Sequence, residues 1–362
     1  MRIETLRIGA APIPFRFSFT HAAAARNQAE NVLVEARDAD GRVGLGEGCP
    51  RAYVTGETVA GATAFLTERR AELAALQDLP ALKAWIEANG AAIDANPSAF
   101  CAAELALLDV FARQAEQDIE AFLGIAHTPT DLRVSAVYGA GGAAAFRVQS
   151  ALFGLDGMRT AKLKLSGDLA RDRARARALA RRGAVRLDAN NLWPDAGAAM
   201  TALTALAPFA WAVEEPIRPR DWEGLRRIGL ETGLAIILDE SLLTLRDLAA
   251  APRDIRIVPN LRVSKLGGLL RSLSMLVPFE GPVIVGAQVG ETSILARAGL
   301  ALARAAGARL AGLEIAYAPL LLSRDVVRNS VGFSYRGAVK WCSSAAGLGL
   351  DANATFQRAL FA

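Results

Sequence analysis

Residues 160–166 read T-A-K-L-K-L-S, a short apolar run with Lys162 and Lys164 two positions apart. In a β-strand, residues i and i+2 share a face, so both ammonium groups project together into whatever the strand lines. Two like charges side by side disfavour each other's protonation, and partial burial adds to that. A lysine so placed can act as a base near neutral pH. Taken alone, the K-x-K also fits an edge strand whose solvated lysines guard against aggregation. The rest of the chain decides between the two.

From about Leu132, apolar strand-like runs alternate with helical runs rich in Ala, Arg and Leu. The strand-like runs end near Tyr138, Lys164, Asp188, Glu214, Asp239, Lys265, Gln288 and Glu314, at steps of 23 to 26 residues. Eight strands at that steady period, with a helix between each pair, predict an α/β fold of the (β/α)8 barrel type rather than an open sheet. In such barrels the C-terminal strand ends form the active-site face, and six of these eight ends are charged. Ahead of the barrel, residues 31–36 form a strand that runs into the turn signal D-A-D-G and returns through residues 41–48. Helical stretches follow, the strongest over residues 97–113. An α+β capping domain is therefore expected over residues 1–129, completed by residues 323–362. The barrel with the catalytic residues is expected over 130–322.

With 362 residues, 52% hydrophobic and 22% charged, the chain is globular and long enough for a large core. The formal net charge of +4 is small, and the basic residues are scattered apart from residues 171–182. No nucleic-acid partner is expected on that basis. Cys49, Cys101 and Cys342 are few and lack metal-site spacing, which predicts a cytoplasmic protein without a disulfide framework. No signal-peptide core opens the chain and no run of roughly 18 apolar residues occurs, so no membrane association is expected. His21 and His127 are the only histidines, which excludes a Ser-His-Asp triad with much else. Acid–base chemistry must rest on Lys, Asp, Glu or Tyr.

Three acidic ends come from consecutive strands: Asp188 in R-L-D-A-N-N, Glu214 in V-E-E-P-I and Asp239 in I-L-D-E-S. Hard oxygen ligands without histidine or cysteine suit Mg²⁺, with Mn²⁺ as its substitute. A cation is also the simplest relief of their mutual repulsion. Helix N-caps after each strand are the competing explanation for any one of them. Spacing leaves open whether Glu214 or Glu215 faces the ion. Lys265, in R-V-S-K-L-G-G, is read as the end of the sixth strand, opposite Lys164 on the second. A substrate carboxylate on the metal would then hold its α-carbon between two lysines, and the metal would stabilise the enediolate formed on proton removal.

With these pieces in hand, the chain resembles the enolase superfamily, and within it the muconate lactonizing enzyme subgroup. The matching motifs are K-L-K, D-A-N, E-E-P, D-E-S, K-L-G-G and G-E-T at Gly290 to Thr292, with G-L-G-E-G-C-P-R-A-Y-V-T-G-E-T in the cap. The resemblance implies that Asp188, Glu214 and Asp239 bind Mg²⁺. It makes Lys164 and Lys265 the acid/base pair, with Lys162 lowering the proton affinity of Lys164. Asn190, Glu240 and Glu291 match supporting positions. His21 and Arg26 fall where the family's mobile capping loop sits, and with Gln288 and Glu314 they are the candidates for substrate choice. The stretch at Glu314 resembles cycloisomerase members and lacks the D-x-D with which dipeptide epimerases hold a substrate ammonium. The stretch around Gln288 departs from the common muconate cycloisomerase pattern. Cycloisomerisation, lactonizing chemistry or syn-elimination of a small carboxylate is the first expectation. Two-lysine epimerisation or racemisation of an amino-acid derivative or dipeptide is the alternative. A non-catalytic scaffold is the remote one, since every expected carboxylate and lysine is present. Apolar content and family habit predict a homo-oligomer.

Overall fold

The computed structural model describes residues 2–21, 24–126, 131–155, 157–341 and 345–361; of residues 17–21, 24–26, 155 and 361 only the backbone is described. The chain opens with an antiparallel meander of β1 (Ile3–His21), β2 (Ala24–Asp38) and β3 (Val43–Gly48). The D-A-D-G signal makes the β2–β3 turn: Asp38 Oδ1 accepts from the backbone N–H of Asp40 and Arg42, at 3.0 and 2.8 Å. β1 runs further than its opening alternation suggested and pairs with β2 to its tip.

The long helix Pro97–Gln114 lies across β3, and the sequence shows why it can. Gly44, Gly46 and Gly48 alternate in G-L-G-E-G, so they share one face of the strand. A Cβ at these positions would meet the backbone oxygens of Ala106, Ala102 and Ser98, at 2.1, 1.8 and 1.9 Å. A two-residue stripe on the strand thus meets a four-residue stripe on the helix, backbone to backbone. The C-terminal helix Ala354–Phe361 packs on the same sheet, against β1 and β2.

Eight parallel strands follow in sequential order: β4 (Ala136–Tyr138), β5 (Thr160–Lys164), β6 (Ala184–Asp188), β7 (Ala212–Glu214), β8 (Ala235–Leu238), β9 (Ile257–Leu261), β10 (Val283–Val285) and β11 (Leu310–Leu313). The sheet curls until its ends meet, where the Ser135 N–H donates to the Leu313 carbonyl at 2.8 Å. Helices alternate with the strands, so the fold is a (β/α)8-type barrel under an α+β cap. Among the described residues no helix is long and apolar enough to cross a membrane. The second half of the barrel ends earlier than the sequence suggests. Asp239 and Glu314 are the first residues past their strands, but Lys265 lies four residues beyond β9 and Gln288 three beyond β10. After Leu261 the chain turns, with Leu266 N–H to Arg262 O and Gly268 N–H to Val263 O. Val263 and Leu266 are buried in that turn, and buried turn residues read like strand in a hydrophobic pattern.

Buried polar groups join cap to barrel. Glu47 of β3 accepts from Asn31 Nδ2 at 2.7 Å, from the Thr292 N–H at 2.9 Å and hydroxyl at 2.6 Å, and from the Leu295 N–H at 3.1 Å. It thereby caps the helix Ser293–Ala306. Glu104 of the long helix accepts from the Leu269 and Leu270 N–H groups, at 2.5 and 3.1 Å. Gly268 makes room for that carboxylate: its φ is +113°, and a Cβ there would lie 2.2 Å from Glu104 Oε2.

Gly46→Ala is expected to cost about 3 kcal/mol in urea unfolding, since neither backbone can yield to the new methyl. A variant as stable as the parent would refute the helix–strand contact. Burial, opposed by its hydrogen bonds, pushes the Glu47 carboxyl up to about 7 from 4.5. A raised folded-state pKa gives stability present below the unfolded value and lost as pH rises through the folded one, here on the order of 3 kcal/mol. Glu47→Gln lacks that titration, so its deficit relative to the parent should shrink between about pH 5 and pH 8. A deficit independent of pH would disprove this.

Candidate active site

The ends of β5, β6 and β7 stand in register: Lys164 beside Asp188, and Asp188 beside Glu214. Lys162, one strand repeat deeper, is buried among acids from three strands. Its Nζ lies 3.3 Å from Asp188 Oδ2, 3.3 Å from Glu214 Oε2 and 2.8 Å from Glu314 Oε2. Burial opposes the charge on Lys162, but Glu214, Glu314 and Asp188 outweigh it and hold the ammonium protonated above the ordinary lysine range. Lys162 is thus a fixed cation next to Lys164. Like-charge repulsion from Lys164, expected to loosen its proton, is overruled by the acids. Burial likewise opposes the charge on Glu314, and Lys162 with Arg186 pulls its carboxyl well below the usual range.

Lys164 reaches further toward solvent, 3.8 Å from Asp188 Oδ2, and donates to Asn190 Oδ1 at 3.2 Å. Asn190 sits at φ +45° and its own N–H donates to Asp188 Oδ1 at 3.2 Å. The two neighbouring glutamates separate cleanly. Glu215 accepts from the Asp239 N–H at 2.6 Å and from the Ser241 N–H and hydroxyl at 2.7 and 2.8 Å, so it is consumed in shaping the turn after β8. Glu214 turns to the other acids and accepts from Asn260 Nδ2 at 3.0 Å.

Lys265 is not where the spacing put it. The side chain is fully buried, and its three N–H donors go to the Asp239 carbonyl at 2.6 Å, Asp239 Oδ1 at 2.9 Å and the Asn260 carbonyl at 3.0 Å. It braces the turn after β9 and does not face Lys164. The residue that follows β9 at the mouth is Arg262, whose Nη2 pairs with Asp239 Oδ2 and lies 3.5 Å from Glu214 Oε1. Its Nη1 donates to Gln288 Oε1 at 3.1 Å. Arg262 lies 23 residues after Asp239 and 26 before Gln288, so the strand period fitted it as well as it fitted Lys265. Arg186, inside the barrel on β6, also escaped the sequence reading. It pairs with Glu314 and reaches Ser135 Oγ at 3.2 Å, next to the closing seam.

These groups line a cavity of about 400 Å³. Lys164, Asp188, Asn190, Glu240, Arg262, Gln288, Glu291 and Glu314 form its polar side; Tyr53 of the cap, Val137, Phe153, Leu320 and Leu321 are on its wall too. Burial pushes Glu291 up to about 8, against the Gln288 N–H that it accepts at 2.6 Å. Burial, with Asp239 and Glu215, pushes Glu240 up to about 8. The side chains of His21 and Arg26 lie outside the described residues.

The acids suit a hard divalent cation by their chemistry, and a buried oxygen on the same wall, Glu240 Oε2, has no hydrogen-bond partner among the described residues. As they stand, no three acids among the described residues are spaced to hold a metal ion by themselves. Lys162 bridges Asp188 and Glu214, and Arg262 bridges Glu214 and Asp239. Asp188, Glu214 and Asp239 would hold such a cation while sharing their charge with Lys162 and Arg262.

The Enolase C-terminal domain-like family matches residues 147–355. The hydrophobic dipeptide epimerase of Enterococcus faecalis is 29% identical over 81% of this chain and 84% of its own. The L-Lys-D/L-Arg epimerase of Methylococcus capsulatus is 30% identical over 74% and 77%. A dipeptide epimerase structure from that organism, complexed with Mg and the dipeptide L-Arg-D-Lys, superposes with a TM-score of 0.84 at 26% identity, covering 97% of this chain and 100% of that one. A chloromuconate cycloisomerase of a Pseudomonas species is 26% identical over 77% and 78%. The epimerases match more strongly than the cycloisomerase, which reverses the order expected from the motifs.

Lys162→Met would leave Asp188, Glu214 and Glu314 buried without their shared cation. It is expected to cost about 3–5 kcal/mol in thermal or urea unfolding, far beyond the loss of a surface ion pair. A cost under about 1 kcal/mol would show that the ammonium is dispensable.

Proposed function

The chain belongs to the enolase superfamily, and from that premise we propose that it is a divalent-cation-dependent enzyme that removes the proton α to the carboxylate of an amino-acid derivative, with Lys164 as the base. The observation that carries this reading is the placement of Lys164. It ends β5 on the cavity wall, beside Asp188, with a permanently charged Lys162 behind it. Asp188, Glu214 and Asp239 would hold the cation, Mg²⁺ or Mn²⁺, and Asn190 and Glu240 support the same corner. When bound, the ion supplies positive charge for the carboxylate as it becomes an enediolate. The chain's own groups do the rest. Lys164 takes the proton, Asn190 orients Lys164, and the apolar wall keeps water from the carbanion.

The relatives named above point to dipeptides. The wall beyond β11 argues for a particular kind of amino-acid derivative. It presents Ala316, Tyr317 and Ala318, while Glu314 is taken up by Lys162 and Arg186. No acid in that stretch is left to answer a free ammonium, which favours a substrate whose α-nitrogen is acylated. Val137, Phe153, Leu320 and Leu321 suit an apolar side chain. For the outcome, the epimerase relatives point to inversion at the α-carbon, which requires a second acid–base group opposite Lys164. Cycloisomerisation or syn-elimination is kept as a second reading because Lys164 is the one lysine among the described residues that reaches the open cavity beyond buried Lys162.

In D₂O with Mg²⁺, proton NMR should show loss of the α-proton signal from N-acetyl-L-leucine or L-Ala-L-Phe. Chelation should abolish the exchange, and Lys164→Ala should slow it by about 10²–10⁴. Exchange that survives both treatments would overturn the proposal.

A further inference from the structure

The strand opposite Lys164 is followed at the mouth by a group that cannot serve as a base. β5 and β9 are the second and sixth of eight strands in the ring, so residues at their ends face each other across the mouth. Lys164 holds one side. On the other stands Arg262, directly after Leu261, with its guanidinium fixed by Asp239 and Gln288 and exposed to the cavity. Lys265, three residues on, has its donors committed inside the fold and takes no part in the wall.

We infer, resting on the proposed α-proton removal, that proton transfer in this enzyme is one-sided: Lys164 alone takes and returns the α-proton, and Arg262 holds the opposite face as a fixed cation that sets the outcome. A guanidinium has five donors and no acceptor and stays charged in proteins, so it cannot accept a proton from carbon. Inversion by two bases needs an amine or other base on each face. Here the C–H bond breaks toward Lys164, whose neutral amine becomes an ammonium, and the bonding pair moves into the enediolate. Two continuations balance. The same proton, or a deuteron exchanged onto Lys164, returns to the same face and the configuration is kept. Otherwise the pair moves on to form a C=C bond, a β-substituent leaves with its own pair, and the Lys164 ammonium protonates it on that face. Arg262 meanwhile can pair with an anionic group of the substrate, bidentate where that group is a carboxylate.

The test follows exchange and configuration together. N-acetyl-L-leucine, N-acetyl-D-leucine and L-Ala-L-Phe are incubated with the full-length enzyme and Mg²⁺ in D₂O. Deuterium at the α-carbon is read by NMR and configuration by chiral chromatography. Exchange outrunning inversion by at least about tenfold, and confined to one enantiomer of the acetyl-leucine pair, is the expected result. Arg262→Lys should then bring inversion to within about threefold of exchange, because it puts an amine on the second face. Inversion as fast as exchange in the parent enzyme overturns the inference and leaves α-proton removal standing. No exchange with any probe overturns the proposed function and this inference with it. The parent's result decides the matter even where the variant folds poorly.

Discussion

A single ammonium, Lys162, neutralises acids brought together from three strands, and the mouth of the barrel is built around it. Isolated buried carboxylates would be costly, and their repulsion would splay the strand ends. The fold answers by interleaving charge: Lys162 among Asp188, Glu214 and Glu314, Arg186 on Glu314, and Arg262 and Lys265 on Asp239. The strand register that places Lys164, Asp188 and Glu214 side by side is therefore also an electrostatic register. Slipping one strand by a residue would turn its charged end to the other face and strand a charge in the core.

The cap is tied to this barrel in the same manner, by acids used as backbone caps. Glu47 and Glu104 each spend a buried carboxylate on the N–H groups at the start of a barrel helix. Arg51 does the converse, donating to the carbonyls of Glu30 and Val289 at 2.9 and 2.8 Å and so joining β2 to the segment after β10. These bonds are directional, so they orient the cap over the mouth, where Tyr53 can join the cavity wall. Apolar contact alone would hold the two parts together without fixing that angle.

The similarity to epimerases and the chemistry of the mouth bear on different questions. Similarity over most of the chain reflects the barrel and the cap, a fold found in epimerases and a cycloisomerase alike. The outcome of the proposed reaction would depend on the few groups over the reacting carbon. An arginine at the end of β9, where an amine could equally stand, would alter which face can exchange a proton without altering strand order, register or core.

Most of the architecture was legible in the residues. A period of 23 to 26 residues could be counted, and charged strand ends could be seen, because parallel barrel units repeat one local pattern and need no distant contact to be recognised. The structure puts Lys164, Asp188, Glu214 and Asp239 at or directly after strand ends, as counted, and Lys162 two residues inside Lys164, as the K-x-K spacing indicated. Tertiary structure alone decided what each group faces. It turned Glu214, the one the resemblance favoured, toward the other acids and gave Glu215 to the turn after β8. It alone raised the proton affinity of Lys162, because the acids responsible lie 26, 52 and 152 positions away in the chain. It alone exchanged Lys265 for Arg262, because both satisfy the period and only the turn after β9 buries one and presents the other. Sequence carries spacing and residue type. Burial and the direction of a side chain come from packing between segments far apart in the chain, and the chemistry of this site depends on them.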